Sequence, residues 1–382
     1  MAALRALAAA LLVTIAVAPR AAQALAPAPP SRSAIVIDPG SGEVLYEHDA
    51  HVAYPTASMV KMMTALVVMD HVASGDASWD QPVEITGRAS LVGGSQVYLK
   101  EGEVFTVGEL VAALMIKSAN DAAHALADAV GGSVEEFVRE MNAKGRELGL
   151  EASRFYTPHG LPPEKPGQRN DVMSARDLAV VGAAVLREPR LRELAGTPSR
   201  PFRGGEFELR SSNHLLRDWD EAIGVKTGWH SQADFCLTAA ARRHGLELIA
   251  VVQGVARKQD SFAAARRLLE EGFARYRLVT LARAGERLPQ PAAVAGGTRD
   301  TVPVVALEPV RVMVRADRPF AATPVVLSAQ AQAPIAAGEP VGTAIYRCGR
   351  GVVARVPVAA AEPVAPLPWW QRLWRRLVAV LA

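Results

Sequence analysis

A short segment, 55–61, leads directly into an apolar run over residues 62–69. An apolar run that follows a proline and a threonine predicts a buried helix with Thr56 as its N-cap. Threonine can cap free backbone N–H groups, and proline is tolerated only near a helix start. Ser58 then falls in the first turn, and Lys61 follows three residues later on the same face.

The types of these two residues predict a chemistry. A lysine in apolar surroundings loses hydration, which disfavours its charged form, and the free amine can then accept the proton of a serine hydroxyl. A hydroxyl in the first turn of a helix also lies beside backbone N–H groups that can bind an oxyanion. Ser58 and Lys61 therefore form a candidate nucleophile and general base without a catalytic histidine. Taken alone, the spacing is also common on solvated helix surfaces.

Two further triplets favour the catalytic interpretation. Ser118-Ala119-Asn120 lies between two helix-like stretches, and Lys226-Thr227-Gly228 lies in a strand-like stretch. In this order, Ser-x-x-Lys, Ser-x-Asn and Lys-Thr-Gly resemble the three-part active-site signature of the serine enzymes that recognise penicillin. Each triplet is common by itself, and it is their combination that makes the prediction specific.

The composition changes along the 382 residues and predicts five segments. Ala22-Gln23-Ala24 ends a short apolar run as a small-x-small cleavage site, which indicates a secretory signal peptide and an exported protein. The segments are a signal peptide (1–24), a Pro/Ala-rich linker (25–32), a domain that carries the three motifs (33–278), a small all-β domain (279–366) and a terminal helix (367–382).

The hydrophobic periodicity predicts an α+β fold for residues 33–278, with helices packed on a largely antiparallel sheet. Predicted strands cover 34–38, 43–46, 206–210, 222–227, 235–241 and 246–253. Predicted helices cover 107–117, 121–130, 134–148, 174–187 and 261–276. After residue 279, short apolar runs broken by Pro and Gly predict β-strands only.

The C-terminal segment 367–382 has the pattern of an amphipathic membrane anchor. On a helical wheel, three tryptophans and several aliphatic residues occupy one half, and three arginines lie in the other. Such a helix is too short to cross a bilayer but suits the interface, where each arginine adds about 1 kcal/mol near anionic headgroups. We therefore expect peripheral attachment to a membrane surface, and the family resemblance described below implies that this is the periplasmic face of the inner membrane.

The remaining composition excludes other classes of protein. A formal net charge of +3 gives no basis for nucleic-acid binding. The two cysteines, Cys236 and Cys348, fall in different predicted domains, and Cys236 is interpreted as a buried small hydrophobic residue. No His-Glu-x-x-His motif is present, so we predict neither a metal nor another cofactor. His214 and His230 are interpreted as surface or loop residues.

From about Ser33 to its end, the chain resembles the low-molecular-mass penicillin-binding proteins, which are serine D-alanyl-D-alanine carboxypeptidases. Besides the three motifs, the likeness includes residues 94–102, 121–123, 174–177, 333–335 and 341–342. The resemblance implies a transpeptidase/β-lactamase-like catalytic domain followed by a β-sandwich domain. It also implies removal of the terminal D-Ala from peptidoglycan stem pentapeptides, and acylation by β-lactam antibiotics.

The resemblance also implies roles for the catalytic residues. Ser58 would attack the penultimate D-Ala carbonyl and form an acyl-enzyme, and Lys61 would take its proton. Ser118 would relay a proton to the leaving D-Ala nitrogen. Asn120 would hydrogen-bond the substrate amide and hold Lys61.

Substrate binding is implied for residues of the Lys-Thr-Gly strand. Lys226 and Thr227 would bind the terminal carboxylate, and Gly228 would let the substrate backbone approach as an added strand. The backbone N–H groups of Ser58 and Trp229 would form the oxyanion hole.

Several positions depart from the family pattern. Ala119 and Asp234 stand where glycine is usual, and Trp229 stands where histidine or another polar residue is frequent. Ser261 replaces an arginine that binds the substrate carboxylate in many members, and the sequence leaves open whether Arg257 substitutes for it. These departures bear on substrate preference and turnover and leave the reaction class unchanged.

Three alternatives share the motifs. A β-lactamase would need an added deacylating carboxylate, and Glu164 lacks the surrounding pattern. A D,D-endopeptidase would differ in cleft access, and an inactive wall-binding scaffold would not need intact Ser58, Lys61 and Lys226.

Overall fold

The computed structural model describes residues 31–163, 165–327, 331–349 and 351–371. The predicted signal peptide (1–24), the linker up to residue 30 and the terminal segment from residue 372 onwards lie outside the described residues, as does Glu164. Among the described residues, no helix is long and apolar enough to span a membrane.

An antiparallel sheet forms the centre of the first region. The strands of the first region, in chain order, are β1 (Ser33–Ile37), β2 (Val44–His48), β3 (Tyr54–Pro55), β4 (Pro82–Glu84), β5 (Val104–Thr106), β6 (Val172–Met173), β7 (Ser199–Phe202), β8 (Phe207–Arg210), β9 (Ala222–His230), β10 (Asp234–Arg243) and β11 (Leu246–Val255). The central sheet has the order β2-β1-β11-β10-β9, which places β9 at one edge in the described structure. The other strands pair locally, β3 with β6, β4 with β5 and β7 with β8.

Helices cover both faces of this sheet. They are α1 (Lys61–Ser74), α2 (Gly87–Ser90), α3 (Val107–Ala112), α4 (Asn120–Gly131), α5 (Val134–Glu147), α6 (Ala175–Arg187), α7 (Pro189–Ala195), α8 (Leu215–Asp218) and α9 (Lys258–Arg275). Alternate residues of β1 face opposite ways, as strand geometry requires. Ile35 and Ile37 join the core that includes α1 and α3–α7, whereas Ala34 and Val36 pack toward α9. The predicted α+β architecture is confirmed.

The prediction that Thr56 caps a helix containing Ser58 and Lys61 is wrong. Thr56 precedes a 3₁₀ turn, Ala57–Val60, its side chain makes no capping hydrogen bond, and α1 begins only at Lys61. Ala57 has a φ of 49°, which interrupts helical geometry. The turn is tightly packed against a distant loop, since a Cβ on Gly160 would lie 2.1 Å from the Ala57 carbonyl oxygen.

The second region is built from strands around a core of its own, as predicted. The strands are β12 (Tyr276–Ala282), β13 (Ala292–Ala295), β14 (Thr301–Val302), β15 (Val304–Ala306), β16 (Val310–Arg315), β17 (Thr323–Leu327), β18 (Ala331–Gln332), β19 (Pro340–Cys348) and β20 (Gly351–Ala360). The largest sheet has the order β15-β20-β19-β17, and Val302, Ala344 and Val358 are fully buried in the core. Cys236 is buried and unpaired, as expected, and Cys348 is exposed and also unpaired.

Candidate active site

Ser58 and Lys61 are in direct contact. Lys61 Nζ lies 2.8 Å from Ser58 Oγ and 2.7 Å from the carbonyl oxygen of His159. Lys61 is completely buried, whereas Ser58 is partly exposed. Burial lowers the pKa of Lys61 well below its usual range, and the charge of Lys226 lowers it further. A lysine of lowered pKa in hydrogen-bond contact with a hydroxyl is suited to act as its general base.

A second serine–lysine pair lies in the same site. Lys226 Nζ donates to Ser118 Oγ at 2.8 Å and to the carbonyl oxygen of Thr227 at 3.1 Å. Burial lowers the pKa of Lys226 to about 7. Each lysine is thus hydrogen-bonded to one hydroxyl. The two pairs lie on adjoining segments, because Gly228, two residues after Lys226, packs against Thr56 and Met59 on either side of Ser58.

An irregular turn positions Ser118. The helix predicted over 107–117 is α-helical only to Ala112 and continues as a π turn, Ala113–Lys117. Ser118 follows in the left-handed conformation with a φ of 66°. Such π turns are frequent at functional sites, and this one directs Ser118 toward Lys226 before α4 begins.

Asn120 is placed differently from the expectation that it holds Lys61. Its Nδ2 donates to the carbonyl oxygen of Gly93 at 2.7 Å, while both side-chain bonds of Lys61 go to Ser58 and His159. Asn120 Oδ1 is buried, and it has no hydrogen-bond partner among the described residues. A buried unpaired oxygen is costly, so this atom is suited to accept a hydrogen bond from a ligand.

The edge strand β9 lies directly against the turn that carries the nucleophile. A Cβ on Gly228 would lie 2.6 Å from the Thr56 carbonyl oxygen and 2.9 Å from Met59 Cγ. Only glycine permits this approach without displacement of the strand. The next residue, Trp229, is exposed and stacks on Phe235, with ring centroids 5.7 Å apart.

The opposite wall is a loop whose role the sequence motifs did not reveal. Asp171 is buried and accepts hydrogen bonds from the backbone N–H groups of Tyr156 and Thr157 and from Thr157 Oγ1. Burial raises its pKa to about 6. Thr64, a polar residue in the apolar run of α1, donates to the carbonyl oxygen of Pro158 at 2.7 Å. These bonds fix the His159 carbonyl beside Lys61. A polar residue within an apolar helical run, Thr64, is the feature of the sequence that could have indicated a contact with this loop.

A cavity of about 570 Å³ adjoins this loop. Its lining residues are Leu91, Val92, Gly93, His124, Tyr156, Thr157, His159, Leu161, Pro162, Pro163, Gly167, Gln168 and Arg169. Burial, together with the charge of Lys61, lowers the pKa of His159 to about 3, so its imidazole is neutral. Within the described residues, no three histidine, cysteine, aspartate or glutamate side chains are grouped to hold a metal ion.

The structure shows the surroundings of several positions that depart from the family pattern. Asp234 has a φ of 56° and forms a salt bridge of 2.5 Å with Arg32. Arg257 is paired with Asp260, and Ser261 is buried. The interpretation of His230 as a surface or loop residue is wrong. It is a buried residue of β9, and its Nδ1 accepts hydrogen bonds from the backbone N–H groups of residues 232 and 233.

Comparisons with known proteins agree with this geometry. Residues 20–257 match the sequence model of the family described as D-alanyl-D-alanine carboxypeptidase (Peptidase S11), and residues 276–365 match that of the C-terminal domain of penicillin-binding protein 5. The carboxypeptidase DacF of Bacillus subtilis strain 168 is 31% identical over 337 residues, which are 87% of this chain and 85% of that protein. DacC of Escherichia coli K12 is 34% identical over 269 residues, 67% of this chain and 64% of that protein.

Solved structures show the same architecture. Penicillin-binding protein 5 from Haemophilus influenzae superimposes with a TM-score of 0.70 at 27% identity, covering 90% of this chain and 100% of that one. Penicillin-binding protein 6B from Escherichia coli gives a TM-score of 0.66 at 27% identity and covers 86% and 94% of the two chains.

Proposed function

The chain belongs to the D-alanyl-D-alanine carboxypeptidase family, and on that basis we propose that it removes the terminal D-Ala from peptidoglycan stem pentapeptides through an acyl-enzyme on Ser58. The observation that carries this proposal is the pair of 2.8 Å contacts, Lys61 with Ser58 and Lys226 with Ser118. In each pair, a buried lysine of lowered pKa activates or orients a hydroxyl.

The reaction begins when Ser58 Oγ attacks the carbonyl carbon of the penultimate D-Ala and passes its proton to Lys61 Nζ. The backbone N–H groups of Ser58 and Trp229 stabilise the oxyanion that forms. Ser118 then gives its proton to the leaving nitrogen and takes one from the ammonium group of Lys226, which breaks the peptide bond and releases D-Ala. Water attacks the ester carbonyl and gives a proton to Lys226, while Ser58 Oγ leaves with the proton that Lys61 held. The free enzyme is thereby regenerated.

Substrate recognition is assigned to the groups around the cleft. The substrate backbone lies along the edge of β9, where Gly228 permits close approach. Asn120 Oδ1, which lacks a partner among the described residues, accepts the substrate amide N–H. Lys226 and Thr227 bind the terminal carboxylate, and β-lactams acylate Ser58 because their strained amide presents the same carbonyl and carboxylate.

Two assays test this function. A pentapeptide that ends in D-Ala-D-Ala and a crosslinked peptide dimer are incubated with the enzyme, and free D-Ala and monomer are measured. We expect D-Ala release from the pentapeptide, whereas monomer release alone would identify an endopeptidase. Ser58→Ala should abolish both D-Ala release and covalent labelling by a fluorescent penicillin, and Ser41→Ala, in an exposed β1–β2 turn, serves as the control. Retained labelling in Ser58→Ala would refute the assignment.

We also propose that the protein is exported and attached to the periplasmic face of the inner membrane through residues 367–382. The Trp and Arg pattern of this segment supports the proposal, as does the exposure of Trp369 and Trp370, at 74% and 56%. Deletion of residues 369–382 should move the protein from the membrane to the soluble fraction without loss of activity. An unchanged membrane fraction would contradict the anchor.

A further inference from the structure

Lys258 lies beside the loop that contacts the edge strand. Its Nζ is 3.3 Å from His214 Nε2, and it forms no salt bridge with a carboxylate of the described residues. The His214 ring stacks on Phe262 with centroids 5.1 Å apart. Burial lowers the pKa of His214, and the charges of Lys258 and Arg217 lower it further. A neutral imidazole can accept a hydrogen bond from an ammonium group, so the pair presents one positive charge.

The loop that holds His214 also contacts the substrate-binding strand. Ser212 Oγ lies 2.5 Å from Thr227 Oγ1, and Asn213 Nδ2 donates to the carbonyl oxygen of Gly224 at 3.0 Å. Two residues of chain span at most about 7 Å between Cα atoms. The hydroxyl pair and the Lys258–His214 pair are therefore held by residues that are two apart in one loop. Hydroxyls and an ammonium group together are suitable donors for a carboxylate.

Two other residues at the start of α9 already have hydrogen-bond partners. Arg257 forms two hydrogen bonds with Asp260 through Nε and Nη2, at 2.7 and 3.0 Å. Ser261 is buried, and its Oγ donates to the carbonyl oxygen of Lys258 at 2.7 Å. Ser261 therefore fixes the turn from which Lys258 extends, while the exposed Lys258 side chain remains available.

We propose that Lys258 binds the free carboxylate of the D-amino acid that is released, with the free O–H of the Ser212–Thr227 hydroxyl pair as an additional donor and His214 as a positioning residue. The inference rests on the proposed carboxypeptidase function. Lys226 cannot supply this charge alone, because it is bonded to Ser118 and its pKa is lowered to about 7. In this chain, Ser261 stands where many family members have an arginine that binds the substrate carboxylate. Lys258 supplies the positive charge that this arginine provides in those members.

The test uses two peptides that differ only at the last group, one ending in D-Ala-D-Ala and one ending in D-Ala-D-alaninamide. Each competes against a fluorescent penicillin for Ser58, and the concentration that halves labelling is measured. The wild type should bind the free acid more tightly than the amide. Lys258→Met should weaken binding of the free acid about tenfold, the size of one charge-assisted hydrogen bond, and leave binding of the amide unchanged.

Three variants control this result. Lys258→Arg should retain preference for the acid, and Arg257→Met, which removes a neighbouring charge that is paired with Asp260, should retain it fully. His214→Phe should reduce the preference in part, since it removes the acceptor that holds Lys258. An unchanged acid preference in Lys258→Met, or an equal loss in Arg257→Met, would overturn the inference. Absence of D-Ala release by the wild type would instead refute the proposed function, while the competition assay would still measure the acid preference.

Discussion

Replacement of Lys226 by methionine should make the protein more stable and less active. Lys226 is 2% exposed, and burial lowers its pKa from 10.5 to about 7. Between those two pH values, the unfolded chain holds a proton on this lysine that the folded protein has lost. The free energy of unfolding therefore rises with pH through this interval, and below pH 7 the full cost of the buried charge is present.

The size of the stability change follows from the difference between the two pKa values of Lys226. One pH unit corresponds to about 1.4 kcal/mol per proton, so the fall from 10.5 to about 7 amounts to roughly 5 kcal/mol at pH 7 relative to high pH. Methionine has a similar length and no charge, but it loses the hydrogen bond to Ser118, worth about 1 kcal/mol. We expect Lys226→Met to be about 4 kcal/mol more stable than the wild type at pH 7, with a difference that vanishes toward pH 10.

The assay is urea unfolding of both proteins at pH 7, 8, 9 and 10, with D-Ala release measured on the same samples. Contributions from titrating groups that do not interact with Lys226 cancel in the difference between the two proteins. Lys61 does not cancel, because loss of the Lys226 charge raises its pKa, which adds to the stability of the variant in the same direction. Lys100→Met, which removes an exposed lysine, reports the effect of losing one surface charge. A stability difference that is constant from pH 7 to pH 10, or a variant that is less stable at every pH, would refute the reasoning. Activity should fall at every pH, because Ser118 loses its partner.

Three further predictions concern the nucleophile and the loop beside it. Because the pKa of Lys61 is well below 10.5, the rate of acylation by a fluorescent penicillin should level off well below pH 10; a tenfold rise per pH unit that continues to pH 10 would contradict a lowered pKa. Gly160→Ala should cut acylation at least tenfold, since a Cβ there would lie 2.1 Å from the Ala57 carbonyl oxygen. Gly167→Ala lies in the same loop, also at a positive φ but with open space around it, and should lose only about 1–2 kcal/mol of stability. An equal loss of acylation in the two variants would exclude the clash. Thr64→Val should destabilise the protein by about 1–3 kcal/mol by leaving a loop carbonyl unpaired, which a thermal melt will measure; an unchanged melting temperature would contradict the role of this bond.

The sequence was sufficient to predict the reacting groups because they are carried by short local patterns. Ser58, Lys61 and Lys226 were found from motif spacing, and burial of Lys61 followed from the apolar residues after it. The strands β9, β10 and β11 and the helix α9 were also predicted to within a few residues, since their hydrophobic periodicity is strong.

The contacts of Asn120 and the positioning residues could not be predicted in this way. Asp171 and Thr157 lie far from Ser58 in sequence, and their loop has no hydrophobic period that indicates its course. The 3₁₀ turn before α1 also replaced an expected cap at Thr56. Local capping preference is worth only about 1 kcal/mol, and this turn is tightly packed against Gly160 of a distant loop.

The order of residues along the chain determined which functional groups are present, the type of most secondary structure and the family to which the protein belongs. Tertiary structure alone decided which of those groups touch: Lys61 with the carbonyl of His159, Lys226 with Ser118, and Lys258 with His214. The reason is physical. Hydrophobic periodicity is set by neighbours in sequence. Desolvation of a lysine and the partner of a hydroxyl instead depend on segments 44 to 108 residues away, which only the packed fold brings together.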